Sequence, residues 1–298
     1  MTIHYDFAVA GGDMRHRYLA EELIRRGYRV CQYALCDMPS KNPAVFPSGA
    51  TPLSSITELS SASCVISSIP LCRSENLWNQ SHDAEKVPIY EILSHLQSGQ
   101  IFFAGSIPES FQTAAASADI QVYDLMEQTS LSYFNTVATA EGAICEAIKQ
   151  SPLNLRGSRC AVFGYGKCGQ MICQYLNGIL CPVYVVSEPS NERAFASLIT
   201  RHTGTRQDFE AIAGQFDHIF NTIPAKILTA ELLTKLKPSA VIIDIASAPG
   251  GVDYEAARQL GIAAHFCPGL PGKYAPASSA EAIVETIEQI LKEQTICL

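Results

Sequence analysis

The sequence predicts an α/β protein built from two doubly wound, parallel-sheet domains, and three observations carry that prediction. Short apolar runs alternate with amphipathic helical stretches along nearly all of the 298 residues. The alternation starts twice, at Phe7-Ala8-Val9-Ala10 followed by Gly11-Gly12-Asp13, and at Cys160-Ala161-Val162-Phe163 followed by Gly164-Tyr165-Gly166-Lys167-Cys168-Gly169. Between the two starts lies one long helical stretch, closed by Ser151-Pro152, where proline forbids continuation.

Taken in order, a buried strand at 7–10 leads through the first glycine pair into a helix over 14–26. Its apolar Tyr18, Leu19, Leu23 and Ile24 keep to one face, and Arg15, Arg17, Glu21, Glu22 and Arg25 supply the rest. Gly27 stops that helix, a strand follows at 28–35, and the stretch 36–57, rich in Pro and Ser, reads as loop. Further strands are expected at 64–69, 101–104 and 120–123, with helices near 89–97 and 109–118. The long helix is expected over 126–149. In the second half, strands are expected at 160–163, 183–186, 218–221, 241–245 and 263–266. Helices are expected there at 167–176, 191–200, 209–214, 229–236 and 254–260. A final helix over 279–294 repeats apolar Ala282, Ile283, Ile287, Ile290 and Leu291, and such a helix can pack back on the first half. The expected domains are therefore 1–150 with 279–298 returning to it, and 151–278.

Composition removes several function classes. The formal net charge is −8, with no block of Lys or Arg, which argues against nucleic acid as a partner. No apolar run approaches the roughly 20 residues that span a bilayer, so no membrane role is expected. The first residues lack the basic and apolar regions of a signal peptide, which predicts a cytoplasmic protein. The 11 cysteines sit singly in apolar strands and helices and read as small buried hydrophobes. Their spacings fit no zinc ribbon, and no metal is expected.

Strand, glycine turn and helix start, in that order at 160–176, form a dinucleotide-binding fingerprint. Gly164 permits the tight turn, Gly166 lets the backbone approach a pyrophosphate, and Gly169 lets the helix lie close to the strand. The helix N-terminus offers N–H groups to the phosphates. The bare pattern also suits a tight strand–helix turn with no ligand; the context is what favours a cofactor. In such sheets ligands lie beyond the carboxyl ends of the strands. The cofactor candidates are therefore Gly164, Tyr165, Gly166, Lys167, Cys168 and Gly169; Ser187, Glu188 and Arg193; Asn221, Thr222, Ile223 and Pro224; and Ala246. An acid after the second strand favours NAD, whereas Ser and Arg favour the extra phosphate of NADP, and here both signals occur together. Arg193 fits equally well a plain helix start capped by Ser190 or Asn191.

On the long helix, Asn135, Thr139 and Gly142 fall at i, i+4 and i+7. That narrow polar stripe suits the lining of a cleft between the halves, or a tie between the helix and its neighbours. Glu141, the carboxylate near the middle of the helix, is a candidate base or a solvated surface glutamate. Ser247 with Gly250-Gly251, and Gly272 in its Pro- and Gly-rich stretch, leave room for a ligand against the backbone. His4, His16, His82, His202 and His218 show no ligand spacing, and His265 reads as core.

Gly11-Gly12-Asp13-Met14-Arg15, Asn135-Thr136-Val137-Ala138-Thr139-Ala140-Glu141-Gly142, the glycine turn at 164–169, Asn221-Thr222-Ile223-Pro224, Ser247-Ala248-Pro249-Gly250-Gly251-Val252-Asp253 and Pro268-Gly269-Leu270-Pro271-Gly272 follow one another over nearly the whole chain. In that order they resemble the family of dipicolinate synthase A subunits found in spore-forming bacteria. The resemblance implies two Rossmann-like domains arranged as in 2-hydroxyacid dehydrogenases, in a protein of the mother-cell cytoplasm during sporulation. It implies a partner, the B subunit of dipicolinate synthase, itself similar to flavin-binding decarboxylase-type flavoproteins. It further implies oxidation of a dihydrodipicolinate-type cyclic imine, or its 4-hydroxylated tetrahydro precursor, to dipicolinate, with NADP (or NAD) taking the hydride. Arg15, Asn135, Thr136, Thr139, Ser247 and Gly272 are the candidates to hold this small dicarboxylate, and Glu141 is the candidate base. Two positions depart from the family pattern: Glu188 stands where an Arg for the NADP phosphate is expected, and Ala248 where some members carry Arg. Two other readings remain. One is a non-catalytic protein that binds nucleotide or dipicolinate in support of the B subunit, favoured by the lack of an obvious His–acid pair. The other is a generic 2-hydroxyacid dehydrogenase, disfavoured because no catalytic His follows the last strand. The sequence leaves self-association into a homo-oligomer open.

Overall fold

A computed structural model describes residues 4–36, 49–74, 76–80 and 86–294. Most of the loop expected at 36–57, and His82, lie outside the described residues. Contacts divide the chain into two units, one of Met1–Phe134 with Ala275–Leu298 and one of Asn135–Tyr274.

The first unit runs β1 (Tyr5–Ala10), α1 (Met14–Arg25), β2 (Val30–Tyr33), β3 (Thr51–Pro52), β4 (Ala62–Ile66), the hairpin of β5 (Cys72–Ser74) and β6 (Leu77–Trp78), α2 (Ile89–Ser94), β7 (Ile101–Ala104), α3 (Glu109–Ser117) and β8 (Gln121–Asp124), and then enters α4 (Thr129–Gln150). Six strands form one parallel sheet in the order β3-β2-β1-β4-β7-β8. Every residue of β1 is buried, as a central parallel strand covered on both faces requires. Asp13 caps α1, its carboxylate accepting from the Arg15 N–H at 3.0 Å. Leu19 and Leu23 of α1 join Phe7, Val9, Cys64 and Phe103 in a core on one face of the sheet. Phe102, Phe111, Trp78 and Ile89 fill the other face.

The second unit holds the rest of α4, then β9 (Cys160–Phe163), α5 (Lys167–Gly178), β10 (Val183–Val186), α6 (Ser190–Ala196), β11 (His202–Gly204), α7 (Arg206–Glu210), β12 (His218–Asn221), α8 (Ala230–Leu233), β13 (Val241–Asp244), α9 (Tyr254–Leu260), β14 (Ala263–Phe266) and α10 (Leu270–Tyr274). Its parallel sheet has the order β11-β10-β9-β12-β13-β14. Both sheets thus follow the Rossmann order, which reverses beside the first strand, here between β9 and β12. Ala140, Ala143 and Ala147 of α4 belong to the core of this second unit, together with Val162, Ile172, Leu176 and Val185. The chain then returns to the first unit as α11 (Pro276–Glu293), with proline in its first turn. Ile283, Val284, Ile287 and Leu291 of α11 complete the first unit's core, and Arg26 Nη1 meets Glu288 at 2.5 Å.

Several elements differ from the sequence expectation. The second sheet has six strands where five are expected, because β11 is only three residues long and reads as polar. α4 starts at Thr129 and not at 126, since a 3-10 turn at Leu125–Glu127, capped by Asp124, precedes it. The helix expected at 209–214 lies at Arg206–Glu210, fixed by a capping box of Thr205 and Asp208. The contact division falls inside α4, after Phe134, and at Tyr274, whereas the sequence places it at 150 and 278. The alanine face of α4 beyond Asn135 packs with the second unit, which moves the division toward the helix start.

Candidate functional site

β9 ends at Phe163, and the backbone turns at Gly164 with φ +88°, in the left-handed region that favours glycine. Gly164 N donates to Val186 O at 2.9 Å, and Thr222 donates to Phe163 O from its N at 3.0 Å and its Oγ1 at 2.8 Å. The ends of three neighbouring strands therefore meet at this turn. A Cβ on Gly164 would lie 2.4 Å from Thr222 Oγ1, with Ile223 behind it at 3.0 Å. A Cβ on Gly169 would lie 2.2 Å from the carbonyl oxygen of Gly164, so α5 rests directly on the turn. At Gly166 the same atom would meet nothing within 4 Å. Gly166 is also the N-cap of α5 and supplies no capping side chain. An open approach, a helix start without a side-chain cap and its positive dipole end fit the pyrophosphate of a dinucleotide. Lys167 is exposed and Cys168 half-buried, with burial pushing the Cys168 thiol up. Tyr165 turns away into the core, edge-on to Phe195 at 5.9 Å. Its hydroxyl has no partner among the described residues, and burial pushes it up to about 12.

At the end of β10, Ser187 is buried, and its Oγ donates to Glu192 at 2.5 Å. The Arg193 guanidinium donates to the carbonyls of Ser187 (2.7 Å) and Glu188 (2.5 Å). The exposed Glu188 carboxylate accepts from the Arg206 N–H at 2.9 Å, at the start of α7. This corner therefore presents two carboxylates and a guanidinium already engaged with backbone.

Next along the same edge, Asp244 is fully buried at the end of β13. Its carboxylate accepts from Asn221 Nδ2 at 2.8 Å, Ala246 N at 3.1 Å, Gly251 N at 2.7 Å and Tyr254 Oη at 2.7 Å. Burial, and then this bond to Asp244, pushes the Tyr254 hydroxyl far up. Asn221 also ties down the next turn, donating to Ile223 O at 3.0 Å and accepting from Ile223 N at 3.2 Å. A Cβ on Gly251 would lie 2.3 Å from Asn221 Nδ2. The loop that carries Ala246 and the exposed Ser247 is thus wrapped around one carboxylate. Pro224 is exposed beyond it.

On α4, the Thr139 hydroxyl donates to Asn135 O at 2.7 Å, and the Asn135 Oδ1 is buried without a partner among the described residues. Thr136 is buried. Gly142 serves packing: a Cβ there would lie 2.8 Å from the Tyr274 ring and 2.9 Å from Leu270. Gly272 is buried within α10. Glu141 is exposed and accepts from Tyr175 Oη at 2.8 Å. Tyr175 lies eight residues past the start of α5, about 12 Å along its axis, so the structure does not bring Glu141 to the glycine turn. One turn further along α4, Glu146 is buried and paired with Lys273 and with Tyr274 Oη at 2.5 Å. Lys273, then Tyr274, hold the Glu146 carboxyl below the usual range.

In the first unit, Arg15 is buried, with Nε and Nη2 on the Asp13 carboxylate (2.9 and 2.8 Å) and Nη2 also on Ile69 O at 2.6 Å. Burial opposes ionisation of Asp13, yet bonds from His16 and Arg15 hold its carboxyl far below the usual range. His16 is buried behind it, its Nε2 3.0 Å from Ser67 O.

The structure therefore gathers Gly164, Gly166, Gly169, Ser187, Asn221, Thr222, Ile223 and Ala246 at one edge of one sheet. It leaves Tyr165 in the core and Glu141 apart. Asp244, Glu192 and the Glu146–Lys273–Tyr274 cluster are missed by sequence reasoning. Only Asp244 carries a local signal, an acid closing the apolar run Val241-Ile242-Ile243 with a glycine pair downstream.

Residues 6–126 match the family model for the N-terminal domain of the dipicolinate synthase A subunit. Residues 131–256 match the NAD binding domain of the D-isomer specific 2-hydroxyacid dehydrogenases. A curated relative, the A subunit of dipicolinate synthase from Bacillus subtilis (strain 168), is 30% identical over 196 residues, and the match spans 65% of this chain and 65% of the relative. Among solved structures, the dipicolinate synthase A subunit from Bacillus halodurans superposes with a TM-score of 0.81 at 21% identity, covering 98% of each chain. The corresponding dipicolinate synthase chain from Bacillus subtilis gives 0.79 at 25% identity, over 96% of this chain and 95% of that one. An L-alanine dehydrogenase gives 0.63 at 11% identity, over 96% and 90%, a likeness of fold alone.

Proposed function

We propose that this chain, whose residues 6–126 match the dipicolinate synthase A subunit N-terminal model and whose residues 131–256 match a dehydrogenase NAD-binding domain, is the oxidoreductase component of a dipicolinate synthase. The observation that carries the proposal is the glycine turn, open above Gly166 and closed beneath Gly169. The substrate is a dihydrodipicolinate-type cyclic imine, which loses a hydride and a ring proton to become the aromatic pyridine dicarboxylate. A bound nicotinamide supplies the hydride acceptor. Gly166 and the start of α5 would hold the pyrophosphate, Ser187 with Glu192 would take an adenosine ribose hydroxyl, and Ala246 and Ser247, on the loop fixed by Asp244, would serve the nicotinamide part. Asn135, Thr136, Thr139, Ser247 and Gly272 are the proposed dicarboxylate contacts, and the partnerless Asn135 amide oxygen supports a ligand there. Arg15 is a separate candidate within the first unit, where Asp13 and Ile69 hold its guanidinium. Glu141 is the carboxylate to test as proton acceptor: Glu141→Gln keeps the size and removes the base, and unchanged turnover removes it from the mechanism.

The corner after β10 favours a ribose diol over a phosphate, because Glu188 and Glu192 repel a dianion and Arg193 is held by two carbonyls. NAD is therefore the proposed cofactor, in preference to the NADP that the family resemblance suggests. The proposed partner is a dipicolinate synthase B subunit.

The deciding experiment gives the purified chain, alone and with a B subunit, dihydrodipicolinate and NAD. Pyridine absorbance rising together with NADH is the expected result. Absence of both, with both proteins present, overturns the proposal. A second reading, a protein that holds nucleotide and dipicolinate while its partner does the chemistry, is favoured by the exposed, Tyr175-bound state of Glu141. It requires that the chain alone show no turnover and that pyridine form when the partner is added, with a flavin of that partner, and not the nucleotide, taking the two electrons.

A further inference from the structure

The second unit contains a cavity of about 300 Å³ at the amino ends of its strands. Arg159 immediately precedes β9, Val183 opens β10, His202 opens β11 and Phe216 lies just ahead of β12. These residues line the cavity together with Tyr184, Ile212 and Gln215. Strands of four residues separate this end of the sheet from the glycine turn by about 13 Å. The cavity is therefore distinct from the cofactor edge.

Its lining has a definite chemistry. The Tyr184 and Phe216 rings stand 5.7 Å apart at 68° and form an aromatic corner, with Phe209 locked behind Phe216 at 4.9 Å. The Arg159 guanidinium meets the Gln215 amide oxygen and takes part in no ion pair among the described residues. The nearby acid, Asp217, accepts from the Arg159 backbone N–H at 2.8 Å, and Lys237 neutralises it at 2.5 Å. His202 is exposed at the same mouth. A guanidinium fork and an imidazole at the rim of an aromatic, apolar recess fit one ligand class: an aromatic ring for the corner and a carboxylate for the fork. The volume lies at the small end of ligand pockets and suits a single substituted ring.

We propose that this cavity is a second ligand site that takes a small planar aromatic carboxylate, with the ring against Tyr184 and Phe216 and the carboxylate on Arg159 and His202. A ligand held there leaves the cofactor edge free. The site stands independently of the reaction proposed above, because none of its residues serves that reaction.

The probe is pyridine-2,6-dicarboxylate, titrated into the full chain while the histidine ring signals are followed by NMR, with His202 assigned by the signal lost in His202→Gln. The His202 signal is expected to shift on binding. Arg159→Met should weaken that response about tenfold or more, the loss of one charge-assisted hydrogen-bonded pair. Dinucleotide affinity should be unchanged in the same variant, which shows that the fold is intact. Phe216→Leu, which keeps the recess apolar and removes the ring, should weaken binding as well. A response confined to other histidines places the ligand elsewhere and overturns the site. An Arg159→Met variant that binds as tightly as the native chain, or no response at millimolar probe, does the same. Failure of turnover in the reconstituted reaction bears on the proposed reaction and leaves this titration untouched.

Discussion

Gly166 and Gly169 stand three residues apart, and substitution at each should fail in a different way. In Gly169→Ala the new methyl lies 2.2 Å from Gly164 O. An ordinary carbon–oxygen approach is about 3.3 Å, so α5 or the turn must give by roughly 1 Å. Neither moves freely, because Ile172, Cys173 and Leu176 anchor α5 with no exposed surface. Overpacking of this kind costs about 1–3 kcal/mol, which lowers the melting temperature by roughly 2–4 °C per kcal/mol in a domain of this size. Gly166 has φ −70° and ψ −170°, an ordinary extended conformation, and open space where its Cβ would stand. Gly166→Val should therefore change stability by no more than about 0.5 kcal/mol. Its branched side chain fills the approach to the backbone, and dinucleotide affinity should fall by about tenfold or more. Thermal unfolding followed by circular dichroism, together with calorimetric titration of NAD, reads both effects. The reasoning is refuted if Gly169→Ala melts like the native chain, or if Gly166→Val binds NAD unchanged.

Three further outcomes are expected. Titration of NAD and NADP should show tighter binding of NAD, and Glu192→Gln should narrow the gap; tighter NADP binding by the native chain would remove the carboxylate argument. Asn135→Leu keeps the volume and deletes the amide, so dipicolinate affinity should fall while the melting temperature barely moves. A large loss of stability with intact affinity would instead make the stripe on α4 structural. Asp13→Asn keeps the helix cap but leaves Arg15 buried without its counter-charge, and should cost about 1–3 kcal/mol at neutral pH. Because the folded-state pKa of Asp13 is depressed, its stabilisation is fully present above the unfolded value of about 3.9 and fades as pH falls below it. The stability curves of variant and native chain should therefore converge in acid, and a gap independent of pH would show that the Asp13 charge is not responsible.

What the sequence makes legible here is what depends on neighbours along the chain. The strand at 160–163 is a short apolar run buried throughout, those at 183–186 and 218–221 carry apolar centres, and the bounds of all three can be placed to the residue. The glycine turn is legible because each glycine answers a local steric demand. β11 is not: His202-Thr203-Gly204 becomes a strand only through its register with Tyr184, Val185 and Val186 of β10. α10 is hidden in the same way, since Leu270-Pro271-Gly272 reads as loop until Leu270 and Tyr274 find the bare backbone of Gly142. Arg15 looks like a free donor in sequence, and Ile69, 54 residues away, is what closes on it. Asp244 is visible as an acid, but the four donors gathered on it come from Asn221, Ala246, Gly251 and Tyr254, and spacing cannot foretell that convergence.

The return of α11 to the first sheet has a consequence for synthesis. The second unit is one uninterrupted stretch, Asn135–Tyr274, and has every residue it needs once that stretch has left the ribosome. The first unit begins earlier but lacks Ile283, Val284, Ile287 and Leu291, which close its core over Leu19 and Leu23. Until they emerge, the core over α1 and its sheet is incomplete while the later-made unit already has its whole stretch, against the usual amino-to-carboxyl order of domain formation. The nascent chain is thus most in need of chaperone cover on the half translated first.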